Sequence, residues 1–236
     1  MLYCIADLHL SEKSGKSMDV FGSRWTGHRE KLIERWQETV TDDDTVVIPG
    51  DISWGLTIGE ALPDLMLISG LPGKKILMKG NHDYWWQSLS KIRRALEECG
   101  ADSVSLLQNG AVTVGNYVIC GCRGWYSDSQ KAPKNADFNK VCLREAMRAE
   151  LSISAGEKAA EGKEILFFCH FPVIFGDFVN RPLLEVIEKH GIKKVYYGHI
   201  HGVYNIPQTV SRNGISYTLV SADYLNFRPL RIETDI

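Results

Sequence analysis

Short apolar runs alternate with longer amphipathic stretches along most of the chain. The runs LYCIA, TVVIP, KILMK, YVICGC, EILFFC and KVYY are rich in Val, Ile, Leu, Phe and Tyr, and Gly, Pro and Asp bound them. Such runs predict strands buried on both faces. Between them the spacing predicts helices. His28 to Val40 places Leu32, Ile33 and Trp36 on one face. Gln87 to Cys99 gathers Leu89, Ile92, Ala95, Leu96 and Cys99, with Gly100 as a stop signal. Asn139 to Ala155 and Pro182 to His190 are two more, the second opening on proline and closing before Gly191. Alternating strands and helices predict an α/β layered fold. From Gly202 onward, VYNIPQTV, GISYTLVSADYL and RPLRIE follow with no helix between them, which predicts antiparallel strands and a second sheet. No repeat, low-complexity segment or linker divides the 236 residues, so one domain over 1–236 is expected.

Composition narrows the class. Hydrophobic residues at 44% and charged residues at 24% are ordinary for a soluble globular chain. A net charge of −2 gives no general attraction to nucleic acid or an anionic membrane, so neither is an expected partner. No apolar run is long enough to span a bilayer, and MLYCIADLHL has no basic n-region. A cytoplasmic location follows as the expectation, with the six cysteines reduced. Cys120 and Cys122 are spaced C-x-C, which is neither a redox nor a zinc pattern. The oligomeric state has no signal in the chain.

The chemistry lies at the ends of the apolar runs. Five of them run directly into groups that hold metal ions: Asp7 and His9; Asp51; Asn81, His82 and Asp83; His170; His199 and His201. Together they use five of the seven histidines, and no cysteine. Carboxylate, amide oxygen and imidazole suit a hydrolytic metal site better than a structural zinc or an iron–sulfur centre. There are more donors than one ion needs, which points to two ions sharing a site. In an open α/β sheet, loops at the carboxyl ends of strands line one crevice, so Asp7 and His201 can meet across the chain. Asp7 and His9 stand two apart, as do His199 and His201. In extended backbone that spacing turns both side chains of a pair to one side. Gly50, Gly80 and Gly198 directly precede Asp51, Asn81 and His199 and permit a sharp turn there. Two polar stretches, Ser11 to Gly27 and Ser127 to Phe138, are expected either to wall the site or to be plain surface loops.

Taken in order, the set resembles the signature of calcineurin-like metallophosphoesterases, from Asp7 to His201. The resemblance implies a four-layer α/β/β/α sandwich of two mixed sheets and a dinuclear site. By matching motif positions, Asp7, His9 and His201 would hold one ion, Asn81, His170 and His199 the other, and Asp51 would bridge them. A hydroxide shared by the two ions would attack phosphorus. His82 would protonate the leaving oxygen, with Asp83 holding its tautomer. Manganese or iron is favoured over zinc or nickel. The segment Gly50-Asp51-Ile52-Ser53-Trp54-Gly55 lacks the acidic residue and arginine that protein serine/threonine phosphatases carry after this motif, so that branch is not expected.

The expected activity is hydrolysis of a small phosphomonoester or phosphodiester. The alternative is a catalytically silent relative that uses the fold as a binding scaffold. Arg123, after the sixth run, is either a phosphate-binding guanidinium or an ion-paired surface arginine. Trp54, Tyr84, Trp85, Trp86, Trp125 and Tyr126 cluster near motif ends and read as core or cleft wall rather than as a stacking platform. Cys169 should point away from the site into packing.

Overall fold

A computed structural model describes residues 1–125 and 137–233. Tyr126 and most of the polar stretch from Ser127 lie outside the described residues. In the described residues the first half of the chain folds as β1 (Leu2–Cys4), α1 (His28–Gln37), β2 (Thr45–Pro49), α2 (Ile58–Gly70), β3 (Lys74–Met78), α3 (Leu89–Glu98), β4 (Val104–Leu106), β5 (Ala111–Val114) and β6 (Tyr117–Cys122). The second half folds as α4 (Phe138–Ala160), β7 (Glu164–Cys169), β8 (Ile174–Phe175), β9 (Phe178–Val179), α5 (Arg181–Lys189), β10 (Lys194–Tyr197), β11 (Thr209–Arg212), β12 (Ile215–Leu219) and β13 (Leu230–Arg231).

Two mixed sheets form. One runs β13-β1-β2-β3-β4, parallel except for β13. The other runs β11-β12-β10-β7-β6-β5, parallel at its centre with antiparallel edges β11 and β5. Strand alternation sorts the side chains into layers. Leu2, Cys4, Ala6 and Val47 meet Ile119, Leu166, Phe168 and Tyr196 in a core between the sheets. On the first sheet's outer face, Tyr3, Ile5, Val46 and Ile48 pack against Leu32 and Trp36 of α1, Leu65 and Ile68 of α2, and Ile92 and Leu96 of α3. On the second, Cys120, Phe167, Cys169 and Val195 pack against Ala149 and Ile153 of α4 and Leu183 and Ile187 of α5. This is the expected α/β/β/α order, and Cys169 is buried in packing as expected.

Two expectations need correction. Helix α2, which has Pro63 inside it, was not anticipated. Its start signal is nevertheless present: the Thr57 side chain accepts from the Glu60 amide, and Glu60 reaches back to the Leu56 amide. The tail does not build a sheet of its own. Strands β11 and β12 extend the second sheet, with β12 parallel to β10, while β13 pairs with β1 of the first.

Candidate metal centre

The donor residues follow β1, β2, β3, β7 and β10, whose parallel pairing aligns their carboxyl ends. The loops are stitched together within each sheet, and the His199 amide donates to Asp7 Oδ2 at 2.9 Å from one sheet to the other. Asp7 N–H donates to the Gly50 carbonyl, His9 N–H to the Asp51 carbonyl, and Gly198 N–H to the His170 carbonyl, at 3.0, 3.0 and 3.1 Å. Asp7, His9, Asp51 and His199 all take left-handed backbone, with φ of 61°, 47°, 53° and 71°. Each such residue costs of order 1–3 kcal/mol and persists only where its surroundings dictate it. Asp7 and His9 therefore converge by turning left-handed, not through the extended backbone that their spacing suggested. A side chain at Gly80 would collide with the Asp51 carboxylate, and one at Gly198 with that of Asp7.

Among the described residues two donor groups result: Asp7, His9 and His201, and Asp7, Asp51 and His170. In the first, His201 Nε2 is 3.4 Å from Asp7 Oδ1 and 3.2 Å from His9 Nε2. In the second, His170 Nε2 is 3.4 Å from Asp51 Oδ2 and 2.7 Å from Asn81 Oδ1. Asp51 Oδ2 also lies 3.8 Å from His9 Nε2, so this carboxylate of the second group reaches toward the first, and Asp7 is common to both. The His199 ring packs against His170, centroids 5.2 Å apart. Neighbours select the tautomers. His170 Nδ1 faces the Pro49 carbonyl at 3.2 Å, and His201 Nδ1 faces Asp223 Oδ1 at 2.8 Å. Each Nδ1 then carries a proton, so that Nε2 is the nitrogen aimed inward, free to ligate once its own proton is lost. His9 Nε2 and His201 Nε2 stand 3.2 Å apart, so a proton or a cation must lie between them. The donor set thus fits cations.

Protonation agrees. Burial opposes ionisation of Asp7, but His201 and His170 prevail and hold its carboxyl near about 2. Burial is likewise overcome at Asp51 by His170 and His9, which hold it well below the usual carboxylate range. Burial pushes His9 and His199 down to about 3, so both are neutral and able to ligate. His201 resists burial because Asp7 and Asp223 raise it to about 10. Cation binding there must release a proton.

The family model for calcineurin-like phosphoesterases matches residues 2–203. The chain belongs to that family. The Gene 66 protein of Mycobacterium phage L5 is 40% identical over 78 residues, 33% of this chain and 37% of that protein. The matched segment thus spans little more than a third of that relative's length. A crystallised protein of unknown function from Aquifex aeolicus shares the fold with a TM-score of 0.51 at 14% identity, over 98% of this chain and 94% of that one. Among the described residues, no helix is long and apolar enough to cross a membrane.

The remaining expected residues of this family member take distinct places. The His82 ring packs on Trp54 at 4.3 Å and lies 5.8 Å from that of His9. Burial lowers its pKa, against the pull of Asp51. Asp83 does not hold the His82 tautomer. Its carboxylate accepts from the amides of Gly80, Asp51, Ile52 and Ser53 and from Trp85 Nε1, and His82 Nδ1 has no partner among the described residues. Asp83 instead ties the Gly50-Asp51 loop to the Gly80-Asn81 loop. Arg123 faces buried Glu145 at 3.5 Å and stacks near Trp125, outside the donor cluster.

The aromatic residues are mostly wall. Trp54 stacks on His9 at 4.9 Å, and Trp85, Trp86 and Trp125 are buried; Tyr84 is exposed. The stretch from Ser11 to Gly27 contributes Trp25, whose ring contacts both His9 and His201, and Lys16, which covers Trp54. Asp223 and Trp25 were missed from the sequence. Asp223 had a findable signal: it follows the apolar run ISYTLVSA, and β12 is parallel to β10, so it arrives at the same edge as the other donors.

Proposed function

We propose that the chain hydrolyses a small phosphomonoester or phosphodiester at a dinuclear centre. Asp7, His9 and His201 hold one cation; Asn81, His170 and His199 hold the other; Asp51 serves both. When bound, the cations supply charge neutralisation at the phosphoryl oxygens and an acidified water. The chain's own groups do the rest. Ionised Asp7 and Asp51 with neutral His9 and His199 leave few negative charges to repel a phosphate. Trp54 holds the His9 and His82 rings by contact on both, and His82 delivers the proton that the departing oxygen needs. Asp83 acts only by positioning the two loops that carry Asp51, Asn81 and His82.

The observation that supports this reading most is the 3.2 Å approach of His9 Nε2 and His201 Nε2 beside a buried carboxylate. Manganese or iron, a cytoplasmic location and a single domain belong to the same proposal. Metal analysis with turnover of p-nitrophenyl phosphate and bis-p-nitrophenyl phosphate tests it. We expect about two ions per chain and hydrolysis of at least one ester. Bound metal with no turnover across a broad panel of phosphate esters would instead make the chain a binding scaffold.

A further inference from the structure

Strands β3 and β6 deliver a second set of charged groups beside the donor cluster. Lys79 directly follows β3 and stands two residues before Asn81. Arg123 directly follows β6, and its carbonyl accepts the amides of His170 and Phe171 at 3.1 and 2.9 Å. Both side chains line a cavity of about 260 Å³, to which none of the seven proposed ligands contributes. That is many times the roughly 10–15 Å³ that one water needs. Arg144, Glu145 and Arg148 of α4 complete the charged lining, with the amides of Gln87, Gln108 and Asn109 beside them.

The charge balance of this cavity is uneven. Glu145 is fully buried and meets Arg148 at 2.6 Å and Arg123 at 3.5 Å. Among the described residues of the lining one carboxylate therefore faces four cations, and a single arginine would have neutralised it. Among the described residues, Glu145 Oε2 and Arg123 Nε are buried without hydrogen-bond partners. Glu145 orients the two guanidinium groups but leaves the cluster with surplus positive charge. Crowding four cations is unfavourable unless an anion joins them. Planar guanidinium groups suit bidentate contact with phosphate oxygens.

We propose that this cavity is an anion site for a phosphate group, either a second phosphate of a substrate held at the metal centre or a free phosphate from solution. Only the first source rests on the phosphoesterase reading; the anion site itself does not.

The test titrates the full chain with inorganic pyrophosphate, in chelator, by calorimetry. Saturable binding that weakens with added salt is expected. Arg144 is exposed on α4, so Arg144→Glu does not threaten folding. It should weaken binding about ten-fold or more, and Lys79→Gln should weaken it in the same direction. Arg93→Glu makes the same charge change at an exposed position on α3 and should leave binding unaltered. No saturable binding, or equal affinity in wild type and Arg144→Glu, overturns the site; so does an equal loss in Arg93→Glu. Kinetics with added metal then separate the two sources. If the second phosphate belongs to the substrate, Arg144→Glu raises KM for a bisphosphorylated aryl ester about ten-fold more than for p-nitrophenyl phosphate. If the anion is free, pyrophosphate changes p-nitrophenyl phosphate turnover in wild type without competing for the site, and Arg144→Glu abolishes that response. Failure of all turnover sinks the phosphoesterase reading and leaves the binding result standing.

Discussion

His201 Nδ1 lies 2.8 Å from Asp223 Oδ1, and this contact decides which imidazole nitrogen faces Asp7. The other carboxylate oxygen of Asp223 accepts from the Gly202 amide and the Tyr204 hydroxyl, both at 3.0 Å. Asp223 is thereby fixed before it fixes His201. An amide at this position satisfies one side only, since its NH₂ group cannot accept. We predict that Asp223→Asn lowers metal affinity about 10–100-fold, the range typical for groups that orient a ligating histidine. Equilibrium dialysis with Mn²⁺ measures it, and unchanged affinity would remove Asp223 from any positioning role.

Asp51 reaches from its own donor group toward the other, with Oδ2 3.4 Å from His170 Nε2 and 3.8 Å from His9 Nε2. Its other oxygen accepts the His82 amide at 2.8 Å. Removing the charge while keeping the shape should weaken both cations together. For Asp51→Asn we expect both ions to be depleted in metal analysis. Loss of one ion with full retention of the other argues against a shared carboxylate.

The His82 ring packs on Trp54 and beside His9, its Nδ1 has no hydrogen-bond partner among the described residues, and its amide reaches Asp51. Its ring is therefore dispensable for holding metal. His82→Ala should keep both ions and slow turnover by roughly 10²–10⁴. The loss should be greatest for alkyl leaving groups, which most need the proton. Equal rates for mutant and wild type on an alkyl phosphate rule out the acid role.

Asp83 is a structural clamp, and its removal should show in stability before activity. Its carboxylate takes five donors, four of them backbone amides from the two loops. Asp83→Asn turns one acceptor into a donor that faces Gly80 N–H and Asp51 N–H. Buried donors left unsatisfied cost about 1–3 kcal/mol each, so the loss should be roughly 2–5 kcal/mol. For a chain of this size that lowers Tm by about 5–20 °C. A calorimetric Tm within a degree or two of wild type would contradict the clamp.

Much of this site was legible because its donors obey one rule: a polar residue directly after an apolar run. Asp7, Asp51, Asn81, His170 and His199 all follow it, and each lies at the aligned strand ends. Asp223 obeys it too, but reading the tail as antiparallel sent its strand ends the wrong way. Sheet partners are non-local, and β12 looks the same in sequence whether it pairs parallel to β10 or not. The role of Asp83 was misread for a related reason. Adjacency to His82 suggested a pair, whereas its real partners are amides about thirty residues earlier (Asp51 to Ser53) and the nearby Gly80. Helix α2 was not read at all, although Thr57 and Glu60 marked its start. The backbone turns at Asp7 and His9 had no signal, because no glycine stands at either position and only the surrounding hydrogen bonds impose them.

His190 offers a pH-dependent prediction far from the metal centre. It ends α5 and joins it to α4: Nδ1 is 2.7 Å from Glu157 Oε1, and Nε2 is 3.0 Å from Glu150 Oε1. The hydrogen bond to Glu157 raises its pKa above the usual value; it outweighs burial, and Glu150 adds to it. A cation at a helix C-terminus is favoured as well. A histidine raised on folding stabilises fully below its unfolded pKa of roughly 6.5, and the benefit fades as pH climbs through the folded value. His190→Gln keeps the size and removes the charge. It should therefore cost about 0.5–1 kcal/mol at pH 6, the scale of a partly exposed ion pair, and close to nothing at pH 9. Urea unfolding at the two pH values gives the difference directly. A loss of the same size at both, or a larger one at pH 9, would mean that packing rather than charge holds α5 to α4 at this point.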